Sequence, residues 1–374
     1  MGTQKSILIV TGTFSSMGGR PSFFGTEIYN AFMYYFINDS LEFINGGKIS
    51  DLESYATNIS KYKIIFWMPH IDGTDGNVAY GSSGIPINKF AQAIKKENKT
   101  AIFIQAKRND HNEFSVFNIV EGMFQVHANL CLVISKDESY KFNIYDPLGN
   151  LWYSGTEIKE AAIKTAQFVA RICLYTRVPS LQDTTLSGWF KDDFFIRAVQ
   201  CLGWRFDTLI NTELNKERFF GNASTRCMLG FPSIRNKDFI FISRRNINKQ
   251  IIEKDDFVQV DLDSENVLHY DYGSKPSVDA PIQVKLYEYY RSVKYIIHGH
   301  TYVTGAVFTK QYIPCGCMEE VGAITELFPD HLSCNFAVNL IGHGCVMLAN
   351  DLKYFAEVGL TARSFPENLT RIFL

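Results

Sequence analysis

Apolar and polar positions follow two rhythms along the chain. In the first half, KSILIVTGTF, KYKIIFWMP and KTAIFIQAK are continuously apolar over strand length, whereas INKFAQAIKKEN and SVFNIVEGMFQVHA repeat apolar residues at helical spacing. Strands alternating with helices predict a parallel sheet in a Rossmann-like α/β layer. NLCLVISKDESYKFNIYDPLGNLWYSG then reads as antiparallel strands with turns at 136–139 and 146–150, closed by a long helix over 156–175. TRVPSLQDTTLSG, residues 176–188, breaks the period with Pro, Ser, Thr and Gly and is the expected boundary between a domain over 1–180 and a second over 190–374.

The second half changes character. KDDFFIRAVQCLGWRFDTLI reads as a helix, followed by the strands DFIFIS, DFVQVDLD, VKYIIHGH and NFAVNLIGHG, with one helix near 281–290 and a last one over 351–365. An α+β fold with a largely antiparallel sheet is expected there. No internal repeat or low-complexity stretch interrupts either half.

Composition agrees with two folded domains. The 374 residues exceed the usual size of one, 46% are apolar and 20% charged, and 30 Phe with 19 Tyr predict aromatic cores. A net charge of −2 without long runs of one sign offers nothing to nucleic acid or a membrane surface, so a small-molecule ligand is expected. The first apolar stretch is too short for a signal peptide and no run reaches membrane-spanning length, which together predict a cytoplasmic protein. The eight cysteines stand singly except for Cys315 and Cys317 in IPCGCMEE, and no CxxC pair occurs. They read as reduced thiols, with a soft-metal role for the CGC pair as the alternative.

Candidate chemistry sits mainly in the second half. TGTFSSMGGRPSFFG follows the first strand, so Gly12, Ser15, Gly18 and Gly19 stand where an anion-binding turn would lie, but the spacing matches neither GxGxxG nor GxxxxGK[ST]. A tight turn explains them equally, and His70 reads as an exposed loop residue. In YIIHGHTYV, strand geometry would put His298 and His300 on one face, either as two ligands of one ion or as the polar end of a buried strand. His343 in NLIGHGCVMLAN adds a third imidazole, and three with an open position suit Lewis-acid chemistry. Ser277 and Asp279 precede a helix, where free backbone N–H groups favour an anion, and Asn222 and Ser224 lie in the loop FFGNASTRC. Helix-cap and turn chemistry would account for these last two motifs as well.

Taken in order, GNAS, KPSVD, HGH and a later HG resemble the class II aldolase and adducin family over about residues 190–374, close to its ribulose-phosphate 4-epimerase and fuculose-phosphate aldolase members. The first domain resembles no recognised family. The resemblance implies that His298, His300 and His343 hold a divalent ion, usually Zn2+, with Mn2+ or Co2+ as alternatives. It implies that Asp279 is the acid/base, and that the reaction is retro-aldol cleavage or epimerisation of a sugar phosphate through an enediolate. It also implies a homo-oligomer, commonly a tetramer.

The phosphate-binding motifs depart from the family pattern. Asn222 and Ser277 are kept, yet Val278 stands where a second Ser is expected. The second loop reads ISRRN, so that after Ser243 and Arg244 it puts Arg245 and Asn246 where the family has Thr or Ser and then Gly. The two arginines would supply charge-assisted bonds to a phosphate or carboxylate, or else form a solvated loop. The second proton donor stays open among Glu319, Glu320 and Tyr302. Competing readings are a dehydratase or decarboxylase on the same metal site, a non-enzymatic adducin-like binding module, and a nucleotide-dependent activity in the first domain.

Overall fold

A computed structural model of the chain describes residues 6–56, 61–71, 101–108, 115–136, 138–186, 190–210, 221–227, 239–271 and 275–363. The helix expected over 87–98 lies outside the described residues. Two compact units part between Leu174 and Tyr175.

The first unit contains strands β1 (Ser6–Ser15), β2 (Leu41–Lys48), β3 (Tyr62–Ile71), β4 (Ile102–Arg108), β5 (Leu130–Lys136), β6 (Tyr140–Tyr145) and β7 (Leu151–Gly155). Its helices are α1 (Phe23–Tyr35), α2 (Ile49–Ala56), α3 (Val116–Gln125) and α4 (Ile158–Leu174). The strands form one mixed sheet in the order β2-β1-β3-β4-β5-β6-β7, parallel from β2 to β5 and antiparallel beyond. The unbroken apolar run Ile7–Val10 is fully buried because both faces of the sheet are covered. Leu8, Val10 and Trp67 pack with Ile119 and Met123 of α3, while Phe66 meets Phe32 of α1 edge-on, with ring centroids 6.2 Å apart. Strand β2, LEFINGGK, has no strand signature in the sequence: its residues are half-buried at the sheet edge and its Asn-Gly-Gly reads as a turn.

The glycine-rich stretch after β1 is folded onto its own backbone. A Cβ at Gly12 would stand 2.4 Å from Gly46 N, and one at Gly19 only 1.5 Å from Thr13 O. Ser15 Oγ donates to Gly18 O at 2.8 Å, and Asn45 Oδ1 accepts from Ser22 N and Thr11 Oγ1. Close approach of neighbouring chain segments accounts for Gly12 and Gly19, and a φ of +108° accounts for Gly18.

The second unit contains β8 (Ser180–Gln182), β9 (Asn222–Cys227), β10 (Phe239–Ser243), β11 (Phe257–Leu262), β12 (Leu268–Tyr270), β13 (Tyr295–Gly299), β14 (Tyr302–Val303), β15 (Val307–Phe308), β16 (Phe336–Leu340), β17 (Gly344–Ala349) and β18 (Leu360–Thr361). Nine of these form a sheet in the order β15-β16-β17-β13-β9-β10-β11-β12-β8. Every neighbouring pair is antiparallel except β15-β16 and β12-β8. Helices α5 (Asp193–Leu209) and α8 (Lys353–Glu357) contribute to the core on one face, and α6 (Ala280–Tyr289) and α7 (Glu319–Leu327) to the core on the other.

Three expectations are corrected here. Part of the aperiodic stretch 176–188 is strand β8, which pairs in parallel with β12; three residues are too few to carry a periodic signal. The helix expected over 351–365 ends at Glu357, and the chain leaves through Val358 in an extended conformation to form β18 beside β14. NFAVNLIGHG is one strand followed by a turn, and β17 returns antiparallel beside it. Helix α7 was not expected at all.

Buried Arg226 of β9 fixes helix α6 at its C-terminal end. Its guanidinium donates to the carbonyls of Tyr287 at 2.9 Å and Tyr290 at 3.0 Å, satisfying acceptors that a helix end leaves open. The opposite end of α6, with Pro281 in its first turn and Asp279 at the N-cap, faces the histidines.

Candidate metal centre

Strand β13 is wholly buried between β9 and β17, with His298 opposite Asn222 on one side and Val346 on the other. His300 follows just past the strand end, and His343 sits in the turn that opens β17. Glycine makes this meeting possible. A Cβ at Gly299 would stand 2.5 Å from the Phe206 ring of α5, and one at Gly344 would stand 2.1 Å from Gly299 O.

The three imidazoles converge, with ring centroids 4.6 to 5.0 Å apart and one potential ligand atom from each within 4.8 Å of the others. His298 Nδ1 donates to Cys345 O at 2.9 Å, which leaves Nε2 with its lone pair, buried and without a hydrogen-bond partner. His343 Nδ1 donates to Glu320 Oε1 at 2.9 Å, a carboxylate behind an imidazole of the kind that orients metal-binding histidines. Burial pushes His298 down to about 4 and His300 well below the usual imidazole value, so both rings are neutral near pH 7. Burial, reinforced by the charge of Asp279, raises Glu320 well above the carboxylate range. Either protonation state of Glu320 keeps an oxygen that accepts from His343.

Asp279 completes the cluster. It is 6% exposed and spends neither oxygen on capping α6. Its Oδ2 accepts from Asn222 Nδ2 at 2.7 Å and lies 3.9 Å from His298 Nε2, while Oδ1 accepts from Cys315 Sγ at 3.4 Å. Asn222 Nδ2 also donates to Ser277 Oγ at 2.9 Å, and Gln283 Nε2 donates to Asn222 Oδ1. Ser243 lies beneath this network: its Oγ accepts from Ala223 N at 3.2 Å and its carbonyl from Ser277 N at 3.3 Å.

The two arginines behave differently from these residues. Arg245 is exposed in the turn that Asn246 completes at positive φ. Arg244 forms a bridge with Pro276, its charge acts on Asp271, and its buried Nε has no hydrogen-bond partner. The positive charges that act on His300 are those of Arg363 and Lys249. Lys249 is 6% exposed, and burial lowers its amine to about 8, against the opposing charges of Asp207 and Asp279.

Three open candidates are also separated. Glu320 holds His343, Glu319 accepts from Thr176 N at 2.9 Å, and Tyr302 Oη accepts from Gly342 N at 2.9 Å in the turn carrying His343. Nothing in the sequence pointed to Lys249, Gln283 or Arg363. Lys249 and Arg363 belong to segments without a motif that only folding brings to the cluster, and Gln283 lies one helical turn past Asp279, where it reads as an ordinary helix residue.

A zinc–nitrogen bond is about 2.1 Å, so nitrogens sharing an ion stand within roughly twice that distance of one another. The three potential ligand atoms lie within 4.8 Å of one another, so the rings would draw together on binding one ion. Neutral rings, anchored Nδ1 atoms and an orphaned buried Nε2 therefore fit a divalent metal.

Residues 210–353 match the protein-family model described as Class II Aldolase and Adducin N-terminal domain. No curated protein matches the chain. Among solved structures, the L-fuculose 1-phosphate aldolase is 18% identical, over 45% of this chain and 81% of that one, with a TM-score of 0.32. A sugar-phosphate aldolase from Thermotoga maritima is 13% identical over 43% and 89%, with a TM-score of 0.32. The DNA/pantothenate metabolism flavoprotein from Streptococcus pneumoniae is 11% identical over 45% and 99%, with a TM-score of 0.31. Among the described residues no helix is long and apolar enough to cross a membrane. The ordered motifs around the three histidines all fall within residues 210–353, the stretch that matches the class II aldolase and adducin model.

Proposed function

We propose that the second unit is a metal-dependent enzyme that cleaves or epimerises a sugar phosphate by retro-aldol chemistry through an enediolate. The observation that carries this reading is the carboxylate of Asp279 held 3.9 Å from the Nε2 of His298, within a cluster of three buried imidazoles. His298, His300 and His343 would hold the ion. When bound, the ion supplies Lewis-acid polarisation of a substrate oxygen. Asp279 takes the proton from the substrate and returns it. Its position at the start of α6 places the positive end of the helix beside the developing negative charge. Asn222 orients the carboxylate by donating to its Oδ2 and also donates to Ser277 Oγ, so the Ser277 hydroxyl proton is the group that the pair offers to an anionic substituent. Ser243 supports that loop, and Arg244, with an unsatisfied Nε, is the better placed of the two arginines to meet an anion.

Metal analysis of the purified protein tests the assignment. Near-stoichiometric zinc, manganese or cobalt is expected in the wild type and should be lost in the His298→Ala/His300→Ala double variant. Unchanged metal content in that variant would reject the site. Against a panel of ketose phosphates, Asp279→Asn should lower kcat by about 100-fold or more, the scale of lost general acid–base catalysis. Equal turnover would remove Asp279 from the chemistry.

A further inference from the structure

One short segment grips the site from outside the family motifs. Cys315 and Glu320 lie five residues apart, in the turn before α7 and in its first turn, and they reach different members of the cluster. Glu320 holds His343, whereas the Cys315 thiol lies 3.4 Å from Asp279 Oδ1. With Oδ2 taken by Asn222 at 2.7 Å, both oxygens of the carboxylate have a donor. Between the two cysteines, Gly316 has φ of 76°, and a Cβ there would stand 3.3 Å from Val278 Cβ. The turn thus lies on Val278, the residue that replaces an expected serine. The hydroxyl missing at 278 and the thiol present at 315 are two features of one local packing arrangement.

Buried cysteine is commonly an inert, nearly apolar filler. Two observations count against that here. The sulfur sits at hydrogen-bond distance from a buried carboxylate, and that carboxylate faces a buried, unpartnered ring nitrogen. Burial and the charge of Asp279 also push the thiol well above its usual value, so sulfur keeps the proton it needs in order to donate.

We propose that Cys315 is a positioning residue for proton transfer: its S–H donates to Oδ1 of Asp279 and locks the carboxylate with Oδ2 turned toward Asn222 and His298. Without that donor the carboxylate rotates about its Cβ–Cγ bond and presents Oδ2 to the substrate for a smaller part of the time. The proposal rests on the reading of Asp279 as the acid/base.

The test uses the full chain, loaded with metal, as wild type and as Cys315→Ala, Cys315→Ser and Asp279→Asn. In infrared difference spectra of wild type minus Cys315→Ser, the S–H stretch of Cys315 should appear at lower frequency than a non-bonded thiol. In the Asp279→Asn background the same difference should move to higher frequency. A band at the non-bonded position, or one insensitive to Asp279→Asn, overturns the proposal whether or not turnover is found. In kinetics on a ketose phosphate that is turned over, Cys315→Ala should lower kcat about tenfold with little change in KM, the size expected for one lost weak hydrogen bond. Cys315→Ser should restore kcat to within about threefold, because a hydroxyl is also a donor. Serine as slow as alanine rejects positioning in favour of packing. If no panel member is turned over but the S–H band behaves as stated, the functional reading fails while the Cys315–Asp279 contact stands.

Discussion

At the scale of single residues, the site depends on groups that hold other groups. His298 and His343 each give Nδ1 to a fixed acceptor, Cys345 O and Glu320 Oε1, so their orientation is set before any ion arrives. Glu320→Ala removes one of these acceptors. It should weaken metal affinity by about 10- to 100-fold, the usual effect of losing such a partner. Glu320→Gln, which keeps an acceptor oxygen, should retain most of the affinity. Titration with a metal-competing chelator measures both, and equal affinity for wild type and Glu320→Ala would remove Glu320 from this role. The three clustered histidines were visible in the sequence because histidines are few and their motifs fall in order. Glu320 was only one of three candidates, since spacing along the chain does not say which of two adjacent glutamates faces inward. Lys249 carried no signal, because a lysine in a polar loop reads as solvent-exposed until burial is known.

At the scale of elements, two strands and a helix end must meet within a few ångströms. The contact of β13 with Phe206 of α5 leaves no room for a side chain at Gly299. Gly299→Ala should therefore destabilise the protein by about 2–4 kcal/mol through overpacking. Pairing it with Phe206→Leu should recover part of that loss, as read from urea unfolding midpoints; strictly additive effects would place the strain elsewhere. Strands with long apolar runs, such as β1, β3 and β13, were legible because burial on both faces demands such runs. Strand β2 and the short strands β8, β14 and β18 were not, since two to eight residues of mixed polarity acquire strand geometry only from the neighbour they pair with. The final helix is shorter than its sequence predicts for a related reason: the chain leaves helical geometry at Val358, and Leu360 and Thr361 pair with β14, a partner distant in sequence.

At the scale of the whole molecule, the chain is two compact units, and the histidine cluster belongs to the second. A bound ion stabilises only the unit that holds it. Stripping the metal with a chelator should lower one calorimetric transition, on the order of 10 °C for a site of this size, and leave the other in place. A uniform shift of all unfolding, or none, would contradict a metal confined to one unit. The sequence by itself determined the α/β rhythm of the first half, the antiparallel character of the second, and the four ordered motifs within residues 210–353, the stretch that matches the class II aldolase and adducin model. These are properties of local periodicity and residue type, which a chain carries before it folds. Only the tertiary structure decided which charges meet. It placed Cys315 against Asp279, Glu320 against His343 and Lys249 within electrostatic reach of His300, and it left Arg245 in solvent. Those pairings join residues 23 to 51 positions apart, a separation over which neither periodicity nor propensity carries information.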